Sequence, residues 1–573
     1  MTALTRRRLV LQLGTAVLAI TGLAACARRT DVPAAPTALP TAATTIAPTT
    51  APTTVAAPAS APTVRPTAPP PVAAARRGGT ITVGVVNDWI TMDPAYNNAE
   101  NSPQRMLYDP LLYYRADAQG NWSFQPGLVE KWEFNAEGGT LELRQGVKFH
   151  DGSDWNAETL KWNIERVIAD PKAPARDVLV GVDFKTPVTV LSPYVARINL
   201  TAPSPVLLQQ LSDQGSFGYL WPISRLAYEK MGPDQYAHNP VGTGPMQFVE
   251  WRASDRVIVK RNENYWLKSS DGQALPYLDG ITYRLIVNDS VRAVELKAHT
   301  IDLMANVAAN DLPAVKADPL LSLVFSTWSG TTGRFYFNAR SGPFADNLPL
   351  RQAVLYAIDR ETLARTLAPD DGVAQYFILQ PGQIGYDGSL PHYTFDLPRA
   401  KTLLAEAGYP SGIDAHLLII SREQDQKQAQ ILQQMLGQAG VRVTIDAMER
   451  AALNASILSG GGDYHLSTGG VTLTPGDPDL RVRPYLHSAG SINKMHTNLP
   501  ELDAAIDKAG STYDTVARSA AYREVQMIDF NTAYLGYLWT QKTNWGFNTR
   551  LQGFPSPGQP AEYFDFRNIS VAA

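Results

Sequence analysis

Residues 416–445 read HLLIISREQDQKQAQILQQMLGQAGVRVTI. The run from His416 to Ile420 is apolar, as a strand buried on both faces requires. From Gln424 to Ala439, the residues Ala429, Leu432, Leu436 and Ala439 recur at helical spacing and share one face. Val441, Val443 and Ile445 then alternate with polar neighbours, the two-residue period of a strand. Linkers this short leave a crossover between two parallel strands of one sheet. The predicted fold is α/β.

The same grammar extends outward. Leu403, Leu404 and Ala407 form a helical face that stops at Gly408 and Pro410, and Leu350, Ala353, Val354, Ala357 and Ile358 form another. In the first half, Thr80 to Val86 alternates as a strand, and Asn87-Asp88-Trp89 leaves its carboxyl end, a usual place for ligand-facing groups. Trp132, Phe134, Leu141 and Leu143 alternate about Gly138-Gly139 as a hairpin. Asn156 is placed to cap a helix carrying Leu160, Ile164, Val167 and Ile168, and Val195 to Leu200 returns as a strand.

The first 26 of the 573 residues read as an export signal. Arg6-Arg7-Arg8 precedes an apolar run from Leu9 to Leu23, too short for a comfortable membrane span. The basic cluster suits both the general and the twin-arginine export routes. Leu23-Ala24-Ala25-Cys26 resembles a bacterial lipobox, and Cys26 is the only cysteine, so no internal disulfide can form. Residues 27–77 are a tether. Of residues 31–75, 36 are Ala, Pro or Thr, a composition that cannot bury enough apolar surface to order itself. That segment reaches at most roughly 140 Å at about 3.1 Å per residue. The whole chain carries a net charge of −4, and the body beyond mixes acids and bases with no basic face to suggest nucleic acid. Its 11 Trp and 24 Tyr are suited to lining a ligand cleft.

Eight segments in order resemble one family: LYDPLLY (Leu107–Tyr113), QPGLVEKW (Gln125–Trp132), LRQGVKFHDG (Leu143–Gly152), VGTGPMQFVE (Val241–Glu250), NENYW (Asn262–Trp266), PYLDGITY (Pro276–Tyr283), RQAVLYAIDR (Arg351–Arg360) and AEAGYP (Ala405–Pro410). The chain resembles an extracytoplasmic solute-binding protein of the peptide/nickel class, family 5, that serves ABC importers. The resemblance implies a two-lobed periplasmic-binding-protein-like fold of class II, a Venus flytrap. Lobe I would span 78–288 with an inserted subdomain near 111–199, lobe II 289–540, and residues 541–573 would return to lobe I. Hinge strands are expected near Val287 and Trp539. The implied product is a lipoprotein anchored outside the cell membrane through Cys26, a monomer whose partners are a small solute and the permease subunits.

By position in the family, Asn87, Asp88 and Trp89 are expected at the cleft from lobe I, joined by Phe217 and Tyr219. From lobe II come Arg334, Tyr336 and Asn338, together with a loop from Gly470 through Thr472 and Thr474 to Asp477. Peptide binders of the family carry an acidic residue three positions before the Asp-Pro dipeptide, where it pairs with the peptide amine. Thr474 stands there and offers no charge, so a sugar-like solute competes with a peptide. No G-x-S-x-G or H-E-x-x-H motif occurs, and the scattered histidines, with His487 and His496 the pair of interest, give no metal spacing. Gly242-Thr243-Gly244-Pro245 and His150-Asp151-Gly152 read as turns. Neither a cofactor nor a catalytic residue is expected. The competing functions are a ligand sensor docking to a signalling receptor and, more remotely, a tethered hydrolase.

Overall fold

The computed structural model describes residues 77–96, 102–117, 122–214, 220–458, 464–472, 476–490, 492–554 and 565–572. Cys26, the signal segment, the tether up to residue 76, Phe217, Tyr219 and Thr474 lie outside the described residues.

The crossover unit forms from strand Ile413–Ile420, helix Glu423–Ala439 and strand Val441–Met448. The two strands are parallel, with Ile413 opposite Val441. Gly440 ends the helix at φ +104°, where a side chain would be strained. Ala429, Leu432, Leu436 and Ala439 are buried in one core with Leu417, Ile419 and Val441.

This unit sits at one edge of a mixed sheet of eleven strands among the described residues. The order is Val441–Met448, Ile413–Ile420, Leu466–Thr472, Leu321–Phe337, Leu535–Asn548, Leu303–Ala305, Thr80–Val85, Gly280–Leu285, Arg256–Arg261 and Met246–Arg252. The short strand Val373–Ala374 pairs with Leu535–Asn548 off this path. Two strands serve both halves of the sheet. Residues 321–325 pair with 544–548 beside the N-terminal strands, and residues 332–336 pair with 535–540 beside the crossover unit. Between them the register shifts between Phe325 and Ser329, between Ser329 and Thr332, and between Gly333 and Arg334. A two-stranded ribbon interrupted in this way bends and twists more readily than a wide, regular sheet. The two halves of the sheet are therefore joined through this pair of strands.

Trp539 lies on this ribbon, opposite Gly333. Val287 does not. It is 67% exposed, in coil between strand Gly280–Leu285 and helix Asp289–Lys297. Residues 289–325 stay with the N-terminal half, because Leu303–Ala305 inserts between Thr80–Val85 and Leu535–Asn548. Their apolar side chains (Ala293, Leu296, Met304, Val315 and Leu321) close a core of their own against Ile286.

A second, four-stranded antiparallel sheet has the order Val129–Asn135, Gly138–Leu143, Val195–Asn199, Val188–Ser192. The hairpin turn falls at Ala136-Glu137 and not at the glycines, which begin the second strand. Gly139 is needed there because a Cβ would lie 2.2 Å from the Phe134 ring. Asn156 caps helix Ala157–Ala169 reciprocally with Thr159. The core of this subdomain also takes in Ala95 and Leu220, beyond the expected 111–199.

The family-like segments converge on one buried carboxylate. Asp109 accepts hydrogen bonds from Tyr113 (3.0 Å), Tyr265 (2.7 Å), Trp266 Nε1 (2.8 Å) and Thr243 (3.0 Å). Gly242 and Gly244 pack on the Leu107–Tyr108 backbone so closely that a Cβ would come within 2.1 Å and 2.5 Å of it. His150 belongs to the same corner: Nε2–H donates to the Gly244 carbonyl and Nδ1 accepts from the Gly242 amide. Burial pushes its imidazole down to about 4 from an ordinary 6.5. A folded pKa below the unfolded one stabilises the protein fully above pH 6.5, and this contribution is lost as pH falls toward 4. Melting temperatures are expected to drop across that window in the wild type and to change less in His150→Gln.

Candidate functional site

The lobes meet beside the ribbon. On lobe I, helix Leu207–Gln210 presents Gln209, and on lobe II Gly476 sits so close that a Cβ there would be 2.9 Å from the Gln209 amide. Gly476 also has φ +132°, a conformation few side chains tolerate. The Ser204 amide donates to the Tyr513 hydroxyl at 3.3 Å across the same boundary. Tyr114 feels the charge of Asp477 from the other lobe, although burial is the larger reason its phenol is pushed up to about 12. These contacts join the two halves of the fold beside the ribbon.

The lobe I residues expected there have differing surroundings. Asn87 is exposed. Asp88 accepts from the Trp89 amide (2.8 Å) and from the Ser254 amide (3.0 Å) and hydroxyl (2.9 Å), so its carboxylate ties two loops together. Trp89 is 4% exposed and packs in the lobe I core with Tyr108, Trp221 and Trp545, while its indole Nε1 has no hydrogen-bond partner among the described residues.

On lobe II, Tyr336 is buried in the core with Tyr485, Leu502 and Tyr522. Asn338 is satisfied at both ends: Nδ2 donates to the Tyr464 carbonyl (2.9 Å) and Oδ1 accepts from the Arg340 amide (2.9 Å). Gly470 and Thr472 pair with Gly333 and Thr331 at the end of strand Leu466–Thr472. Asp477 receives both ends of the Arg518 guanidinium, at 2.6 and 2.8 Å, and the Asp479 amide at 2.9 Å. This bidentate pair fixes the start of helix Asp479–Leu486 just behind Gly476. Arg334 is fully buried, with its guanidinium against the rings of Tyr485 and Tyr537 and its charge felt by the Tyr336 phenol.

Gly476 falls within the loop expected from Gly470 to Asp477, whereas Gln209, Tyr485 and Tyr513 stand beside these contacts without having been singled out from sequence. No local signal marks them, because each matters through a neighbour on the other lobe or another element. Among the described residues no group of three or more His, Cys, Asp or Glu side chains is placed to hold a metal. No helix among them is long and apolar enough to cross a membrane.

A family model described as bacterial extracellular solute-binding proteins, family 5 (middle region), matches residues 123–493. Heme-binding protein A of Haemophilus influenzae is 26% identical over 467 residues, covering 76% of this chain and 81% of that protein. The glutathione-binding protein GsiB of Salmonella typhimurium is 29% identical over 466 residues, 78% of this chain and 86% of that one. The solved structure of the periplasmic binding protein DppA of Helicobacter pylori with the peptide STSA matches with a TM-score of 0.72 at 23% identity. That likeness covers 87% of this chain and 99% of DppA.

Proposed function

The chain belongs to the family 5 bacterial extracellular solute-binding proteins, and from this premise we propose a lipid-tethered binder that closes two lobes on its solute by bending one ribbon. Members of the family capture a solute outside the cytoplasmic membrane and deliver it to an ABC importer, and this chain does so too. Cys26 carries the lipid, the Ala/Pro/Thr-rich segment spaces the body from the bilayer, and the body works as a monomer that binds without altering its ligand. Lobe I runs from residue 78 to about 325 and from about 541 onward, and lobe II lies between.

The observation that supports closure is the approach of Gly476 to Gln209 beside a ribbon with three register shifts. A ligand favours the closed form because only that form touches it from both lobes. The solute is an oligopeptide or a sugar-like molecule of similar size. Relatives named for glutathione, a tripeptide, and a structural neighbour holding STSA give weight to a peptide.

The test is a thermal-shift screen of the full body against short peptides, oligosaccharides and nickel complexes. A ligand at 100 times its Kd adds about 2.7 kcal/mol of stability. Small-angle scattering on the best stabiliser is expected to show a smaller radius of gyration than the free protein, and an unchanged radius would sink the closure mechanism. Gly476→Val is expected to weaken that ligand at least tenfold, because its side chain meets Gln209 only in the closed form. The cost to the free protein should stay near the ~1–3 kcal/mol of backbone strain.

A further inference from the structure

Helix Asp289–Lys297 has two apolar faces. On one, Ala293 and Leu296 are buried in a core with Ile286, Val315 and Leu321. The other carries Val291 and Val294, 48% and 57% exposed. They continue from Val287 before the helix, 67% exposed, to the exposed Ala298 at its end. Steps of four, three and four residues along the chain make one helical stripe. The exposed Val86 lies beside its start, because the Ile286 amide donates to the Val85 carbonyl at 2.8 Å.

Single exposed valines are ordinary, whereas an apolar stripe rimmed by polar groups marks a contact surface. The rim here is Asn288, Ser290 and Glu295, the last held by Arg284 at 3.0 and 3.2 Å. Helix stability gives no reason for the valines, since a β-branched side chain loses rotamer freedom in a helix. The core already has its own face, so the second one is free for a partner.

The inner face of the same helix bears on the ribbon. Leu296 lies so close to Gly546 that a Cβ there would come within 2.7 Å of it. Gly546 pairs with Leu323, and Leu323 and Phe325 pack against the core that holds Leu296. A single helix therefore separates the exposed stripe from the two strands that join the halves of the sheet.

The size and place of the stripe select the partner. A stable dimer buries about 800 Å² on each subunit through roughly 20–30 residues, far more than one short stripe supplies. A small apolar face suits an encounter that ends after each delivery, as handing solute to an importer requires. Its reach also fits a partner in the membrane. From Arg77, where the described body begins, to Val86 is about 30 Å along an extended strand. The Ala/Pro/Thr-rich segment, at up to roughly 140 Å, is several times longer, so an anchored body can turn this face to a protein in the same bilayer.

We propose that Val287, Val291, Val294 and Ala298 form a docking face for an apolar extracytoplasmic loop of the importer's permease, and that contact there acts on the ribbon through Leu296. The inference rests on the reading of the chain as a tethered two-lobed binder. A loop pressing on this helix reaches the strands whose bending opens the lobes, which couples docking to release of the solute.

The experiment uses the full lipid-anchored chain in cells that hold its importer, with a benzophenone amino acid replacing one residue at a time. Crosslinking from Val291 or Ser290 is expected to capture a permease subunit, identified by mass spectrometry. The yield should be about tenfold above that from Leu226 or Val516, which are 57% and 79% exposed elsewhere on the body. Val291→Asp with Val294→Asp should cut capture from Ser290 about tenfold, since burying a charge in an apolar contact is costly. The melting temperature of that double variant should stay within about 2 °C of the wild type, as exposed positions allow. Capture of a second copy of this chain, capture no greater than from the controls, or capture unchanged by the two aspartates overturns the proposal. A fall in melting temperature of about 5 °C or more assigns the stripe to the fold and overturns it as well. The solute screen is a separate readout: a ligand that still stabilises the double variant keeps the binder reading intact even when docking fails.

Discussion

Asp109→Ala is expected to cost about 3–5 kcal/mol of stability, enough to unfold much of the protein at physiological temperature. The carboxylate accepts four hydrogen bonds, from Tyr113, Tyr265, Trp266 and Thr243, and all four donors would be stranded in a dry corner. Burial raises its pKa, and the charge of Arg567 is the largest opposing effect. Alanine would therefore also leave that guanidinium with less compensation. Asp109→Asn should cost less, because the Tyr113 and Tyr265 hydroxyls can turn to accept from the new amide, whereas the Trp266 N–H cannot. Denaturant unfolding of the three proteins checks the order wild type, Asn, Ala. Equal stability of Ala and wild type would mean the corner rearranges without cost.

The second large effect concerns Asp477→Ala. This residue stands in the loop expected to face the ligand, yet both its oxygens are held by Arg518, whose side chain is only 5% exposed. Removing the carboxylate leaves a buried cation unpaired, at a cost of about 3–5 kcal/mol. It also frees the start of helix Asp479–Leu486 and so the Gly476 contact with Gln209. Unfolding is expected at markedly lower denaturant, with weaker ligand binding as a consequence. A direct ligand contact predicts the opposite pattern, in which affinity is lost while the unfolding midpoint stays put. The double variant Asp477→Ala with Arg518→Leu separates the two, since removing both charges should recover much of the stability.

Arg334 and Asp477 also show why cleft residues resist assignment from sequence. Both are polar, both lie near glycines, and both fall in segments that resemble the ligand-facing parts of related proteins. One is consumed by a partner 41 residues away, and the other is enclosed by the rings of Tyr485 and Tyr537. Asp88 and Asn338 are similar, since their side chains are engaged by Ser254 and by Tyr464. Strand periodicity cannot separate such cases. Both faces of the central sheet are packed, by the cores around Phe335 and around Tyr336, so alternation along Leu321–Phe337 does not tell the core from the cleft.

By itself the sequence determined what depends on local order and composition. The strand–helix–strand unit at 413–448, the Asn156 cap and the stop at Gly408 all follow from spacing, capping chemistry and glycine's tolerance of positive φ, none of which needs a distant partner. The ordered series of family-like segments likewise reached the solute-binding family, which the match over residues 123–493 bears out. Tertiary structure alone decided how the long strands pair and which side chains engage each buried charge. The ribbon between the two halves of the sheet pairs residues about 200 positions apart, with register shifts that no local pattern encodes. Whether a buried charge serves the fold or a ligand depends on the donors and acceptors that folding brings beside it from elsewhere in the chain.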